Sequence, residues 1–390
     1  MRTHRTYRAV HAVHAVQAAA AIGAAALLLA ACSSAGSVKQ AGAAPAPAPH
    51  NLTFTSGADK ISATFQPAEG TQNPGAAVLI IAGSGATDRN GDDAQLVKGN
   101  TYQHFAQELA ADGVSSLRYD KLGSGQTGLA THTTGQGITF DLYGNEALDA
   151  YRTLAAQPGV DPHKLIILGH SEGGLYALWL TNKLKATGSG SGSGSGAGTQ
   201  PAPPALHAPP APHALILAST VGLRFIDLLD QQYTAGYQAQ AAAGTITHDE
   251  ANVLTQQLNT AFASIRAGNP VTTQLDDKSV AALLSRTNVP ILHDEDQQDP
   301  AALAKSLGPS MPVLVLHGTK DTQVTDADTA PLLAALQGDS AVVHDEVANA
   351  NHLYQLISGT PNPASDYADA SLPFAAQVGP DLKQFLQHAF

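Results

Sequence analysis

Residues 165–175 read LIILGHSEGGL, a mostly apolar run that ends in Ser171 with Gly169, Gly173 and Gly174 packed around it. A serine hydroxyl is a poor nucleophile unless it is exposed, placed beside a base and faced by donors for a developing oxyanion. A sharp turn from strand to helix meets the first demand, and small residues two positions either side let strand and helix approach closely. The pattern is G-x-S-x-G, a nucleophile elbow, and it requires a strand before and a helix after. KLIIL at 164–168 and LYALWL at 175–180 supply that context. The competing reading is a glycine-rich bend that happens to contain serine.

The elbow predicts that an acid and then a histidine follow in the chain. Asp321 comes next in PVLVLHGTKDTQV (312–324), just past a strand end, and His352 follows in NANHLYQ (349–355), in a loop after the last strand. Taken singly, Asp321 reads equally as the cap of a helix beginning near Thr322, and His352 is one of 16 histidines. Their order and their placement at strand ends favour the catalytic reading. Asp326, Asp328 and Asp345 are fallback acids, and His317 and His170 read as structural. The oxyanion hole needs two backbone N–H groups. Glu172, after the nucleophile, supplies one, and Ser84, in the loop after VLIIAG (78–83), is best placed for the other.

Working outward, NLTFTSGADKISATFQP (51–67) alternates around a Gly-Ala-Asp turn and predicts a β-hairpin. Further short strands are expected at 76–83, 113–120, 164–169, 213–220, 312–318 and 341–347. Helical spacing at 101–111 and 144–156 separates some of them. Nearly continuous apolar strands alternating with helices imply an α/β fold with a mostly parallel central sheet flanked by helices.

Two segments interrupt this order. Residues 187–212, Gly/Ser-rich and then Pro/Ala-rich, are expected to be a disordered low-complexity insertion. Residues 221–310 read as a helical lid between two strands. Within them Thr247 and Glu250 are spaced as a capping box, and Leu254, Leu258, Phe262 and Ile265 form a packing stripe. The α/β core is therefore read in two parts, 51–220 and 311–390.

The N-terminal region is of another kind. Arg2, Arg5 and Arg8 precede AAAAIGAAALLLAA (18–31), which is short for a membrane span, and Cys32 follows, the only cysteine in the chain. The stretch resembles a bacterial lipoprotein signal at 1–31, with Cys32 lipidated and 32–50 a flexible tether. The expected location is the cell envelope, facing outside the cytoplasm. The net charge of −12 would become −15 on loss of those three arginines. An acidic chain without a Lys/Arg cluster argues against a nucleic-acid partner. No metal-binding or dinucleotide fingerprint is present, so neither metal nor cofactor is expected.

Beyond the elbow, GSGATDRNGD (83–92), LRYDKLGSG (117–125), HGTKDTQV (317–324) and NANHLY (349–354) resemble the α/β-hydrolase superfamily, especially its serine esterase/aminopeptidase-like branch. The resemblance extends along most of 51–390. It implies an α/β-hydrolase fold with Ser171 as nucleophile, Asp321 as acid, His352 as base, and Ser84 and Glu172 as oxyanion amides. It also implies that Arg118, Tyr119 and Asp120 hold a strand end and loop. Two positions depart from the pattern: Ala82 where histidine often stands, and Leu122 where arginine often follows the Asp-Lys pair. The expected activity is hydrolysis of a carboxylic ester, with a small acyl ester or peptide as substrate. A peptidase or amidase, an acyl transferase, and a ligand-binding lipoprotein without turnover remain open.

Overall fold

The computed structural model describes residues 48–94, 96–189, 209–339 and 341–390. The expected signal at 1–31, Cys32, most of the expected tether and most of the low-complexity segment lie outside the described residues. No described helix is long and apolar enough to cross a membrane.

The chain opens with the expected hairpin, β1 (His50–Ser56) and β2 (Asp59–Gln66), paired antiparallel. Its turn places Gly57 at φ 57°, the left-handed region. Then follow β3 (Ala77–Ile81), α1 (Thr101–Ala111), β4 (Ser115–Tyr119), α2 (Phe140–Ala155), β5 (Leu165–His170), α3 (Glu172–Ser189) and β6 (Ala214–Ala218). Five helices come next: α4 (Phe225–Ala242), α5 (His248–Arg266), α6 (Lys278–Leu283), α7 (Val289–Asp296) and α8 (Pro300–Lys305). The chain closes with β7 (Val313–Gly318), α9 (Asp326–Ala335), β8 (Val342–Val347), α10 (Pro363–Asp366) and α11 (Val378–Ala389).

The eight strands form one sheet in the order β1-β2-β4-β3-β5-β6-β7-β8, antiparallel at β1/β2 and β2/β4 and parallel beyond. This is the mostly parallel α/β sheet expected. Successive strand residues point to opposite faces, and both faces are covered. Ala77, Leu79 and Ile81 join the layer of α2 and α3, while Val78 and Ile80 join that of α1 and α11. Double-sided burial is why these strands are apolar throughout.

Helix boundaries depart from expectation at two places. Helix α2 begins at Phe140, ahead of the expected 144, because the Thr139 side chain accepts the Leu142 N–H and caps the helix earlier. Helix α3 runs to Ser189, so the start of the low-complexity segment continues the helix instead of leaving it at 187.

The helices between β6 and β7 have their own apolar core. Ile226, Leu229, Tyr233 and Tyr237 of α4 meet Leu258, Phe262 and Ile265 of α5, with Leu254 packed at its edge. The Thr247–Glu250 capping box is formed in both directions. This separate core lets the insertion stand over the sheet edge without disturbing the strands.

Candidate active site

Strand order reverses at β3, which lies between β4 and β5, so the carboxyl ends of β3 and β5 open a crevice at a topological switch point. Ser171 stands there, directly after β5, with φ 55°. That left-handed conformation is unfavourable for a non-glycine residue and persists only where its surroundings impose it. Here the Ser171 N–H donates to the Ala218 carbonyl and its own carbonyl accepts from Gly174. The glycines are sterically required. A Cβ on Gly169 would lie 2.4 Å from the Gly173 oxygen, and one on Gly173 would lie 2.3 Å from the Ile81 oxygen.

His352 follows β8 and is buried. Its Nδ1 lies 2.8 Å from Asp321 Oδ2. Asp321 follows β7, and its other oxygen accepts the N–H groups of Gln323 and Val324, each at 2.9 Å. Burial alone would raise the Asp321 pKa, but the His352 imidazole and the Val324 N–H favour the anion and hold it below the usual carboxylate range. Asp321 therefore does not cap a helix. The next one, α9, begins at Asp326 with a capping box of Thr325 and Asp328.

None of the fallback acids replaces Asp321. Asp326 lies 2.8 Å from His317 Nδ1, Asp328 is engaged in the capping box, and Asp345 sits within β8. His317 Nε2 bonds the Val324 carbonyl at 2.8 Å, which ties the Asp321 loop to β7.

The loop carrying His352 is pinned from several sides. Asn351 Oδ1 accepts the N–H groups of Leu353 and Gln355, and the Tyr354 hydroxyl donates to the Leu316 carbonyl. His170 Nε2 lies 2.9 Å from the His352 carbonyl oxygen; a carbonyl only accepts, so that nitrogen carries the hydrogen. On its other side, His170 Nδ1 lies 3.2 Å from the Tyr102 hydroxyl, which in turn accepts the Gly83 N–H at 2.8 Å.

Ser84, Ser171 and Glu172 line one cleft with Leu175, Phe225 and Leu228, under the helical insertion. A second recess brings Ser84 and Ser171 together with His352, Tyr102 and Tyr367. The expected nucleophile, base and oxyanion residues are thus brought together at one place, with Asp321 directly behind His352. The described contacts include no hydrogen bond between the Ser171 hydroxyl and His352, which meet as walls of the recess. Catalytic hydrogen bonds are often long before substrate binds.

Asp120 forms a buried pair with Arg89 at 2.7 Å and also accepts the N–H groups of Arg89 and Gln126. Arg118 Nε donates to Asn90, and its pKa is lowered to about 10, chiefly by burial and then by the nearby Arg89 charge. These residues hold strand end and loop, as the resemblance implied. The Ala82 departure leaves the Gly83–Ser84 loop braced by other means: the Gly83 N–H reaches Tyr102 and the Gly83 carbonyl reaches Lys121 Nζ at 2.6 Å. Sequence reasoning assigned roles to neither Tyr102 nor Lys121. Among the described residues no group of three or more His, Cys, Asp or Glu is arranged to hold a metal ion.

A parallel sheet with a serine on its β5 elbow and an Asp–His pair at the ends of β7 and β8 defines the hydrolase-type α/β architecture. A family model described as serine aminopeptidase, S33 (Hydrolase_4) matches residues 98–284. The chain superposes on the α/β hydrolase GrgF from Penicillium sp. sh18 with a TM-score of 0.50 and 14% identity, over 87% of this chain and 98% of that one. It superposes on ferulic acid-bound Est1E from Butyrivibrio proteoclasticus with a TM-score of 0.50 and 13% identity, over 87% of this chain and 98% of that one. No curated protein matches the chain. The chain has the α/β-hydrolase fold.

Proposed function

We propose that the chain is a serine hydrolase that cleaves a carboxylic ester through an acyl-enzyme on Ser171. The observation that carries this reading is the strained Ser171 elbow opening on a recess shared with His352, whose ring is held by buried Asp321. With Asp321 on Nδ1, the His352 Nε2 is left to take the Ser171 proton as Oγ attacks the acyl carbonyl. The amides of Ser84 and Glu172 receive the oxyanion. The leaving alcohol takes the proton from His352, and water activated by the same ring releases the acid.

An ester fits the cleft better than a free peptide N-terminus. Leu175, Val221, Leu223, Phe225 and Leu228 make its wall largely apolar, suited to an acyl chain. Glu172 is the one acid among the described lining residues, and it is already engaged by Lys121. A substrate ammonium group therefore meets no uncommitted carboxylate there. Lipidation of Cys32, and with it a lipid anchor outside the cytoplasm, is part of the proposal and rests on the sequence of 1–32.

The deciding experiment is labelling by a fluorophosphonate probe with short-chain ester turnover, in wild type and Ser171→Ala. Labelling and turnover that are both lost in the variant support the reading. Labelling without ester turnover redirects the assignment to amides and peptides. A folded wild type that does neither removes the hydrolase reading.

A further inference from the structure

The reaction above leaves one buried cluster next to Ser171 without a task. Lys121, just past β4, donates from Nζ to the Gly83 carbonyl at 2.6 Å and pairs with Glu172 Oε2 at 3.3 Å. The Glu295 carboxyl on α7 feels the charge of the Glu172 carboxyl, and the Tyr176 hydroxyl on α3 donates to its Oε1 at 3.0 Å. Glu295 is 2% exposed.

Two neighbouring carboxylates repel and offer each other only lone pairs, so such a pair is relieved when one holds a proton. Lys121 pairs with Glu172, while Glu295 is enclosed by protein and held by the Tyr176 hydroxyl. Of the two, Glu295 is the one placed to hold a proton. In keeping with this, burial first and the Glu172 charge second push the Glu295 carboxyl well above the usual range.

The Gly83 carbonyl and the Ser84 N–H belong to the same peptide unit. That unit is planar and trans, so its C=O and N–H point in opposite directions. A lysine fixed on the oxygen thus fixes the direction of the Ser84 N–H and polarises it as a donor.

Resting on the serine-hydrolase reading above, we propose that Lys121, Glu172 and protonated Glu295 form a positioning bridge. It sets the Ser84 oxyanion amide and ties the elbow to the helical insertion. Loss of Lys121 frees the Gly83–Ser84 peptide. Loss of the Glu295 proton sets two carboxylates against each other and draws Lys121 away from Gly83.

The test uses K121M, E295L and E295Q in the full chain. Readouts are kcat and KM for a p-nitrophenyl ester, the rate of fluorophosphonate labelling, and the infrared carbonyl stretch of non-ionised carboxyls at neutral pH. K121M and E295L are expected to lower kcat and labelling rate by roughly ten- to hundredfold, as for a misdirected oxyanion donor, with KM little changed. E295Q, which keeps a neutral hydrogen-bonding group there, recovers most of that loss. The wild-type minus E295Q spectrum shows one non-ionised carboxyl band. Wild-type rates in K121M or E295L, no recovery in E295Q, or no such band overturns the bridge while wild-type labelling leaves the hydrolase standing. A folded wild type that neither labels nor turns over ester overturns the hydrolase reading, and the bridge's role with it.

Discussion

The imidazole of His352 and the carboxylate of Asp321 meet at 2.8 Å in a place where the Asp321 side chain has no solvent exposure. The free oxygen of Asp321 is occupied by the N–H groups of Gln323 and Val324, so the carboxylate has little freedom to turn away. This geometry fixes which imidazole nitrogen faces the acid. Asp321→Asn keeps the shape but offers Nδ1 an amide that favours the wrong tautomer. Ester turnover is expected to fall by about 10⁴-fold, with KM changed far less, measured by steady-state kinetics on protein whose circular dichroism matches wild type.

The same carboxylate has a pH signature in stability. Its folded pKa lies below the ordinary 3.8, so the unfolded chain binds the proton more readily. The contribution is fully present above the ordinary carboxyl range and is lost as pH falls below about 4. Urea unfolding at pH 7 and pH 3 should show a smaller acid-induced loss for Asp321→Asn than for wild type. An equal loss in both would remove this account.

Glu146 has the opposite sign. It is buried in α2 and accepts the Leu122 N–H with both oxygens. Burial is the main cause that raises its pKa to about 8, with the Leu122 N–H and Lys121 opposing. The folded state binds the proton more tightly than the unfolded chain, so this stability is complete below the usual carboxyl range and is lost as pH rises through about 8. Glu146→Gln stays neutral at every pH. Its melting temperature is expected to exceed that of wild type at pH 9 by a few degrees and to approach it at pH 5, read by thermal scans at both.

The sheet, and the placement of Ser171, Asp321 and His352 at strand ends, were legible in the sequence because pattern and chain order carry them. The apolar runs at 76–83, 164–169 and 312–318 are strands buried on both faces, and continuous hydrophobicity marks such strands. Ser171 was legible because its glycines are steric necessities, and Asp321 and His352 because chain order carries information. Tyr102, Lys121 and Glu295 were not legible. Their partners lie 19, 38 and, for Tyr176 with Glu295, 119 residues away, and no periodicity records such contacts. The start of α2 was missed because one threonine side chain, not the hydrophobic pattern, sets it.

Gly173 is where the elbow meets the end of β3 and the loop after it. An added Cβ would lie 2.3 Å from the Ile81 oxygen and 2.7 Å from the Ala82 oxygen, both rigid backbone. Gly173→Ala must therefore move α3 or the end of β3. A loss of about 1–3 kcal/mol or more is expected in urea unfolding, with a fall in turnover because Ser84 lies two residues beyond Ala82. Unchanged stability and rate would show that the elbow is looser than its contacts indicate.

The cleft wall makes a last prediction about substrate range. Leu228 comes from α4 of the insertion, whereas Leu175 comes from α3 of the sheet layer, and both face the cleft that contains Ser171. Enlarging Leu228 narrows the space available to an acyl chain without touching Ser171, Asp321 or His352. Leu228→Trp should keep acetyl-ester turnover near wild type and lose longer acyl esters, since each excluded methylene is worth about 1–3 kcal/mol, or roughly 10–200-fold. A series of p-nitrophenyl esters of increasing chain length, read as kcat/KM, tests this. A uniform fall across the series would place the acyl chain elsewhere, and the recess of Tyr367 and Leu353 would become the acyl side.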